Sequence, residues 1–218
     1  MKKAFILAGC ASVIIACNTN SNNIPASHDS SNHAAHNERN SNSNDQKEMN
    51  PITETMEKMM HDMHGATSTG NNDVDFAAMM IQHHKGAVEM SKVQIEKGNN
   101  TELKAFAQKV IEDQNEEINF MQEYVSNLEK TASANSAEFQ KALHNSMKAM
   151  MNDNTTIYNN IDKDFAAQMI PHHQSAVDMA KVYLEYGQEE RLRTLCQNII
   201  NSQTKEINWL KEWLAKRG

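Results

Sequence analysis

The chain has 218 residues, room for one domain of ordinary size plus tails. Its 21 basic and 28 acidic residues leave a formal charge of −7, which argues against nucleic acid or an anionic lipid surface as the partner. Fifteen methionines and ten histidines stand against only six Phe, four Tyr and two Trp, and seven glycines with three prolines leave few breaks. This is the composition of a helical protein rich in soft donor atoms.

The N-terminus reads as a targeting segment. Lys2 and Lys3 precede an apolar run from Ala4 to Ala16, too short for a permanent membrane helix but suited to a signal peptide over residues 1–16. The run ends in Ile14-Ile15-Ala16-Cys17, which resembles a bacterial lipobox and implies acylation of Cys17. Leu7-Ala8-Gly9-Cys10 fits the same pattern but leaves too little apolar chain before it, and a plain secretory signal is the remaining alternative. Asn18 lacks the Asp that holds some lipoproteins at the inner membrane. The expected location is therefore the cell envelope, lipid-anchored at the outer membrane and facing the periplasm, with the anchor as the sole membrane contact. Loss of Lys2 and Lys3 on processing would move the charge to about −9.

Residues 17–50 are Asn- and Ser-rich, with almost no large apolar side chains, and read as a disordered tether. His28, His33 and His36 fall in it. A Met- and His-rich helix and linker follow over residues 51–71, with Met56, Met59, Met60 and Met63 alongside His61 and His64.

From residue 72 onwards the chain repeats with an offset of 89 residues. Residues 75–93 lie over 164–182 with 13 of 19 pairs identical, and the register continues through Gly98 and Gly187, Leu103 and Leu192, Gln114 and Gln203, and Glu117 and Glu206. Copy one spans 72–130 and copy two 161–218, joined by a Met-rich connecting helix over 135–152 that carries His144. Each copy reads as a helical hairpin. Phe76, Met80, His83, Ala87 and Met90 form the inward stripe of the first helix. Asp75 and Asp164 are the expected N-caps, and Gly98 and Gly187 the C-terminal stops. The second helix begins near Thr101 and carries Leu103, Ala107, Val110, Gln114, Ile118 and Met121, repeated as Leu192, Cys196, Ile199, Gln203, Ile207 and Leu210. Short turns make the two helices of a copy antiparallel neighbours, and two hairpins make an all-α four-helix bundle with extra short Met-rich helices. Cys196 is the lone cysteine of this region, so no disulfide forms within it.

Counting from the turn places His83 level with residue 115, near Gln114 and Glu117, and His172 level with residue 204, near Gln203 and Glu206. His83 and His84 diverge by roughly 100° and cannot both point straight inward. Met80 precedes them by three and four residues and shares a face with either, so Met80, His83 and His84, with their copies Met169, His172 and His173, are the candidate metal ligands. Met90 and Met179 lie about 10.5 Å further along the axis and belong to another level. Gln114, Glu117, Gln203, Glu206, Met60, His61, His64 and His144 are candidates for additional or supporting roles. Thioether with imidazole favours Cu(I), with Ag(I) as a mimic, over zinc or the carboxylate-rich iron sites. Pro171 replaces Gln82 and either bends the helix or marks its first turn.

The run from Phe165 to Lys181, with Met169-Ile170-Pro171-His172-His173 and Ala176-Val177-Asp178-Met179, resembles the domain of unknown function 305 family. Copy one follows the same pattern through Phe76, Met79, Met80, His83, His84, Ala87 and Met90. The resemblance covers roughly residues 72–216 and implies a ferritin-like four-helix bundle, found mostly in exported proteins, of which some bind copper in the periplasm. Gln82 in place of Pro and Gln168 in place of a first Met depart from the family pattern. The expected function is an envelope-anchored protein that binds or buffers Cu(I) for copper homeostasis or resistance, with no catalytic constellation. The competing readings are a ferritin-like redox enzyme with an iron or mixed-metal site and a metal-free envelope interaction protein. Association into a homo-oligomer is compatible with any of these.

Overall fold

In the computed structural model of the protein, the described residues are 50–65, 67–126, 131–151 and 154–217. The signal segment, Cys17, and the tether with its three histidines up to residue 49 lie outside them. Six α-helices and one 3-10 turn make up the fold, with no strand among the described residues: α1 (Pro51–His64), α2 (Asn72–Lys97), α3 (Thr101–Ser126), α4 (Ser136–Ser146), the 3-10 turn Met147–Ala149, α5 (Ile161–Tyr186) and α6 (Glu190–Ala215). None of these helices is long and apolar enough to cross a membrane.

The α2–α3 and α5–α6 hairpins are the two copies, and α2 packs on α5 at the centre. On the opposite side α3 meets α6 through side chains. Phe106 stacks on Trp209 at 4.8 Å, and the Arg191 guanidinium lies 4.9 Å over the Phe120 ring. The result is an all-α, ferritin-like four-helix bundle, with α1 laid on α2 and α4 on α5. The stripes of α3 and α6 are buried as their spacing requires, from Leu103 to Met121 and from Leu192 to Leu210. Each large apolar side chain so buried contributes about 1.5–3 kcal/mol.

The helix starts differ from the sequence expectation. The side chains of Asn71 and Asn160, not Asp75 and Asp164, cap α2 and α5, by accepting from the backbone of Asp73 and Val74 and of Lys163. Asp75 and Asp164 fall inside the first turn and organise the incoming loops instead. Asp75 accepts from Ser68, Thr69 and Gly70 and from Gln140 of α4. Asp164 accepts from the backbone of Tyr158 and Asn160 and from Asn50, the residue that caps α1. The repeated aspartates thus hold the two flanking helices to the bundle.

A second repeated pair locks the copies to each other. Asp162, at the start of α5, accepts from Gln94 Nε2 at 2.7 Å and from the backbone N–H groups of Asn99 and Asn100 in the α2–α3 turn. Asp73, its counterpart in α2, accepts from Tyr183 Oη at 2.5 Å and from the N–H of Gln188 in the α5–α6 turn. Each copy therefore clamps the turn of the other, and α2 runs antiparallel to α5. Gly98 and Gly187 end their helices, as expected, but with extended backbone rather than the left-handed turn usual for a glycine stop. Glycine is required there for close approach: a Cβ on Gly98 would press into the Gln94 amide and Asp162, and one on Gly187 into the Tyr183 ring.

Two further expectations are corrected. The connecting helix α4 contains no methionine. It is anchored by buried Phe139 and Leu143, and Met147, Met150 and Met151 fall in or after the 3-10 turn that follows it. Pro171 also lies inside α5, which excludes the alternative that it marks the helix's first turn. The missing N–H leaves the Ala167 carbonyl without its usual helical donor one turn before the His pair.

Removing the Asp162 carboxylate strands three donors, so Asp162→Ala should lower stability by about 3 kcal/mol in urea unfolding and Asp73→Ala, with fewer contacts and its Gln188 bond long, by about 1 kcal/mol. Equal or negligible losses would refute the clamp.

Candidate metal centre

The two His pairs lie midway along α2 and α5, and all four rings are fully buried. The adjacent histidines diverge around the helix, as their spacing requires, yet both are buried because α2 and α5 are covered on two sides. The second histidine of each pair turns toward its own hairpin. His84 Nε2 is 2.7 Å from Glu117 Oε2 on α3, and His173 Nε2 is 3.0 Å from Glu206 Oε2 on α6, close but poorly aligned for a hydrogen bond. The first histidine turns toward the other copy. His83 and His172 meet with ring centroids 3.7 Å apart and their planes tilted by 39°. The levels counted from the turns are therefore right, but it is His84 and His173, not His83 and His172, that meet the glutamates.

The rings form a row, His84, His83, His172, His173, with successive centroid separations of 6.0, 3.7 and 5.9 Å. Their hydrogen bonds fix the protons. Ser175 Oγ spends its one proton on the His172 carbonyl at 2.8 Å, so at 2.7 Å from His83 Nε2 it must accept. His172 Nε2 donates to the His83 carbonyl at 3.0 Å. His84 and His173 present Nε2 to carboxylates. In His83, His84 and His172 Nε2 is thus the donor side, in His173 Nε2 lies beside a carboxylate without a formed hydrogen bond, and in all four rings Nδ1 is buried without a partner. Buried nitrogen lone pairs left unmatched are rare in proteins, and four at one level of a core call for an explanation.

Burial is the main cause that holds His83 and His172 neutral, by pushing both well below their usual value, and the neighbouring imidazoles add to it. A neutral imidazole whose N–H is tied to a carbonyl, hydroxyl or carboxylate is the form that ligates metals. Met80 and Met169, one turn before each pair, are fully buried and supply thioethers. This donor set fits a soft cation. Two imidazoles can share an ion only if their centroids lie within about 6 Å, given bonds of about 2 Å, and the separations within each pair meet that limit. Among the described residues no three His, Cys, Asp or Glu side chains converge, so the carboxylate-rich set that iron prefers is not assembled.

The other candidates lie elsewhere. Met90 and Met179 are fully buried, and Gln114 and Gln203 are buried with one amide oxygen unmatched. Met60 is half-buried on α1, while His61, His64 and His144 are exposed. Cys196 is buried, and its thiol is pushed well up by loss of solvent, which leaves it inert. Sequence reasoning missed Ser175, the residue that orients His83. The signal was present as an unlike pair, since copy one carries Gly86 at that position. A Cβ on Gly86 would run into the Met59 side chain of α1, which explains why only copy two has room for a hydroxyl.

A model of the domain of unknown function (DUF305) matches residues 21–125 and 73–214, and the chain belongs to this family. Solved structures of CopM share its fold. The Cu(I)-bound form is 33% identical, covering 66% of this chain and 96% of that one with a TM-score of 0.51. The Cu(II)-bound form is 29% identical over 67% and 97% with a TM-score of 0.53, and a silver-soaked form is 30% identical with a TM-score of 0.52. Uncharacterized protein L153 of Acanthamoeba polyphaga mimivirus is 38% identical over 56 residues, and the match spans only 37% of its length.

In the unfolded chain His83 and His172 titrate near their ordinary value of 6.5, whereas the fold keeps them neutral to much lower pH. Below 6.5 the unfolded state binds more protons, so stability is full above that value and falls as pH falls. The metal-free protein should lose up to about 1.4 kcal/mol per histidine per pH unit between about pH 6.5 and the depressed folded value, read from melting temperature against pH. A flat profile over that range would show that the rings are not buried neutral.

Proposed function

We propose that the protein binds soft copper ions in the bundle core, with Met80, His83 and His84 as ligands in copy one and Met169, His172 and His173 in copy two. The observation that carries this reading is the row of four buried imidazoles, each with Nε2 facing an acceptor and Nδ1 unmatched. CopM, of the same fold, has been solved with Cu(I), Cu(II) and silver, which supports copper as the ion and silver as its mimic. When bound, the ion would supply the missing partners for the Nδ1 lone pairs. Glu117 and Glu206 would strengthen His84 and His173 as donors through their Nε2 protons. Thioether and neutral imidazole stabilise Cu(I) over Cu(II), so the protein would hold copper in its reduced form.

The proposed setting is the cell envelope. Processing at Cys17 would tether the bundle to the outer membrane through residues 18–50, facing the periplasm, where a buffer for Cu(I) would serve copper homeostasis or resistance. Membrane contact would come through the lipid alone.

Anaerobic titration with Cu(I) against a competing chelator tests the core sites. Glu117→Gln should weaken copy one, and Glu206→Gln copy two, by about 10–100-fold. Met80→Leu and Met169→Leu, which keep the core volume, should also weaken binding. An absence of binding, or affinity unchanged when all four paired histidines are replaced, would overturn the proposal.

A further inference from the structure

The flanking helices bring a second set of soft donors together outside the histidine row. His64 is the last residue of α1, and His144 lies in the final turn of α4. These helices sit on different copies, yet the two rings meet edge to face, with centroids 6.3 Å apart and planes at 72°. Both rings are exposed, so burial does not force the contact. His64 Nδ1 lies 2.7 Å from the Met60 carbonyl oxygen. A carbonyl only accepts, so Nδ1 carries the proton and the free lone pair is on Nε2. An N–H fixed on a backbone carbonyl, with the other nitrogen bare, is how metal-binding imidazoles are held.

The distance of 6.3 Å lies just beyond that of a shared ion. With bonds of about 2 Å to each nitrogen, two rings on one ion approach a centroid separation of about 6 Å as the angle at the ion opens toward linear. Wide two-coordinate angles suit Cu(I) and Ag(I) and not tetrahedral zinc. Both side chains are at the surface and free to adjust their rotamers by the small amount required. Met60, one turn before His64 and half-buried, places a thioether on the same face of α1.

We infer that His64 and His144 form a second site for a soft monovalent cation, Cu(I) or Ag(I), with Met60 as a supporting thioether. It uses none of the core ligands, so it stands or falls separately from them. It is also solvent-facing where the core row is sealed, so an ion from solution can reach it without opening the bundle.

The test is a titration of the nitrogen-labelled full chain with Ag(I), followed by the imidazole nitrogen resonances. The His64 and His144 signals should shift together along one binding curve. Either His64→Ala or His144→Ala should abolish the response of the remaining ring, lower the Ag(I) capacity by one equivalent and leave the core histidines responding as before. Unchanged His144 shifts in the His64→Ala protein, or no response of either ring to excess Ag(I), would overturn the site. Shifts at His64 and His144 with silent core histidines would uphold this site and refute the core one.

Discussion

The antiparallel pairing of α2 with α5 sets the position of everything else in this molecule. Each hairpin has one apolar stripe on its second helix but needs two buried faces on its first, because the His pairs point in directions roughly 100° apart. Only a helix covered by its own hairpin partner on one side and by the other copy on the second can bury both histidines. The two aspartate clamps, Asp73 on the Tyr183 end and Asp162 on the Gln94 end, fix this pairing at both extremities. The rings of His83 and His172 meet at its midpoint, where any local two-fold relation between the copies must bring equivalent residues together.

That arrangement explains the chemistry of the histidine row. Polar groups sealed in a core are costly unless matched, and here the matching is one-sided: three Nε2 atoms are hydrogen-bonded and the fourth lies beside a carboxylate, while every Nδ1 has no partner. A core selected only for packing would place aliphatic side chains there, as α3 does with Val110 and Ile118 and α6 with Ile199 and Ile207 at neighbouring levels. Burial also removes the competition from protons, because His83 and His172 stay neutral under conditions where a surface histidine would begin to charge. The glutamates stand on the outer helices, partly exposed, where their own desolvation is small while they still reach the buried rings.

The sequence made much of this legible, for identifiable reasons. The 89-residue repeat fixed the two hairpins, and the three-four spacing of Leu103 to Met121 and of its copy named the buried faces residue by residue. Counting from the turns found the level of Glu117 and Glu206. Which histidine would meet them was not legible, because it depends on how α2 rotates against α5, a contact between segments far apart in the chain. Asp75 and Asp164 look like better caps than they are because their carboxylates are captured by loops and by Gln140 and Asn50, partners no local pattern reveals. The methionines of residues 147–151 suggested a helix, but the helix forms one step earlier, where Phe139 and Leu143 can be buried.

The unlike pair Gly86 and Ser175 has a consequence for the origin of such a site. Had a single hairpin self-associated about the same axis, both sides would necessarily carry one residue, either a glycine admitting the Met59 side chain of α1 or a serine orienting the opposite histidine. Fusion of the two hairpins into one polypeptide lifts that constraint. Each half can then specialise, one accepting an outer helix at close range and the other donating a hydroxyl ligand-holder, and the two ion sites are free to diverge in strength while the scaffold remains shared.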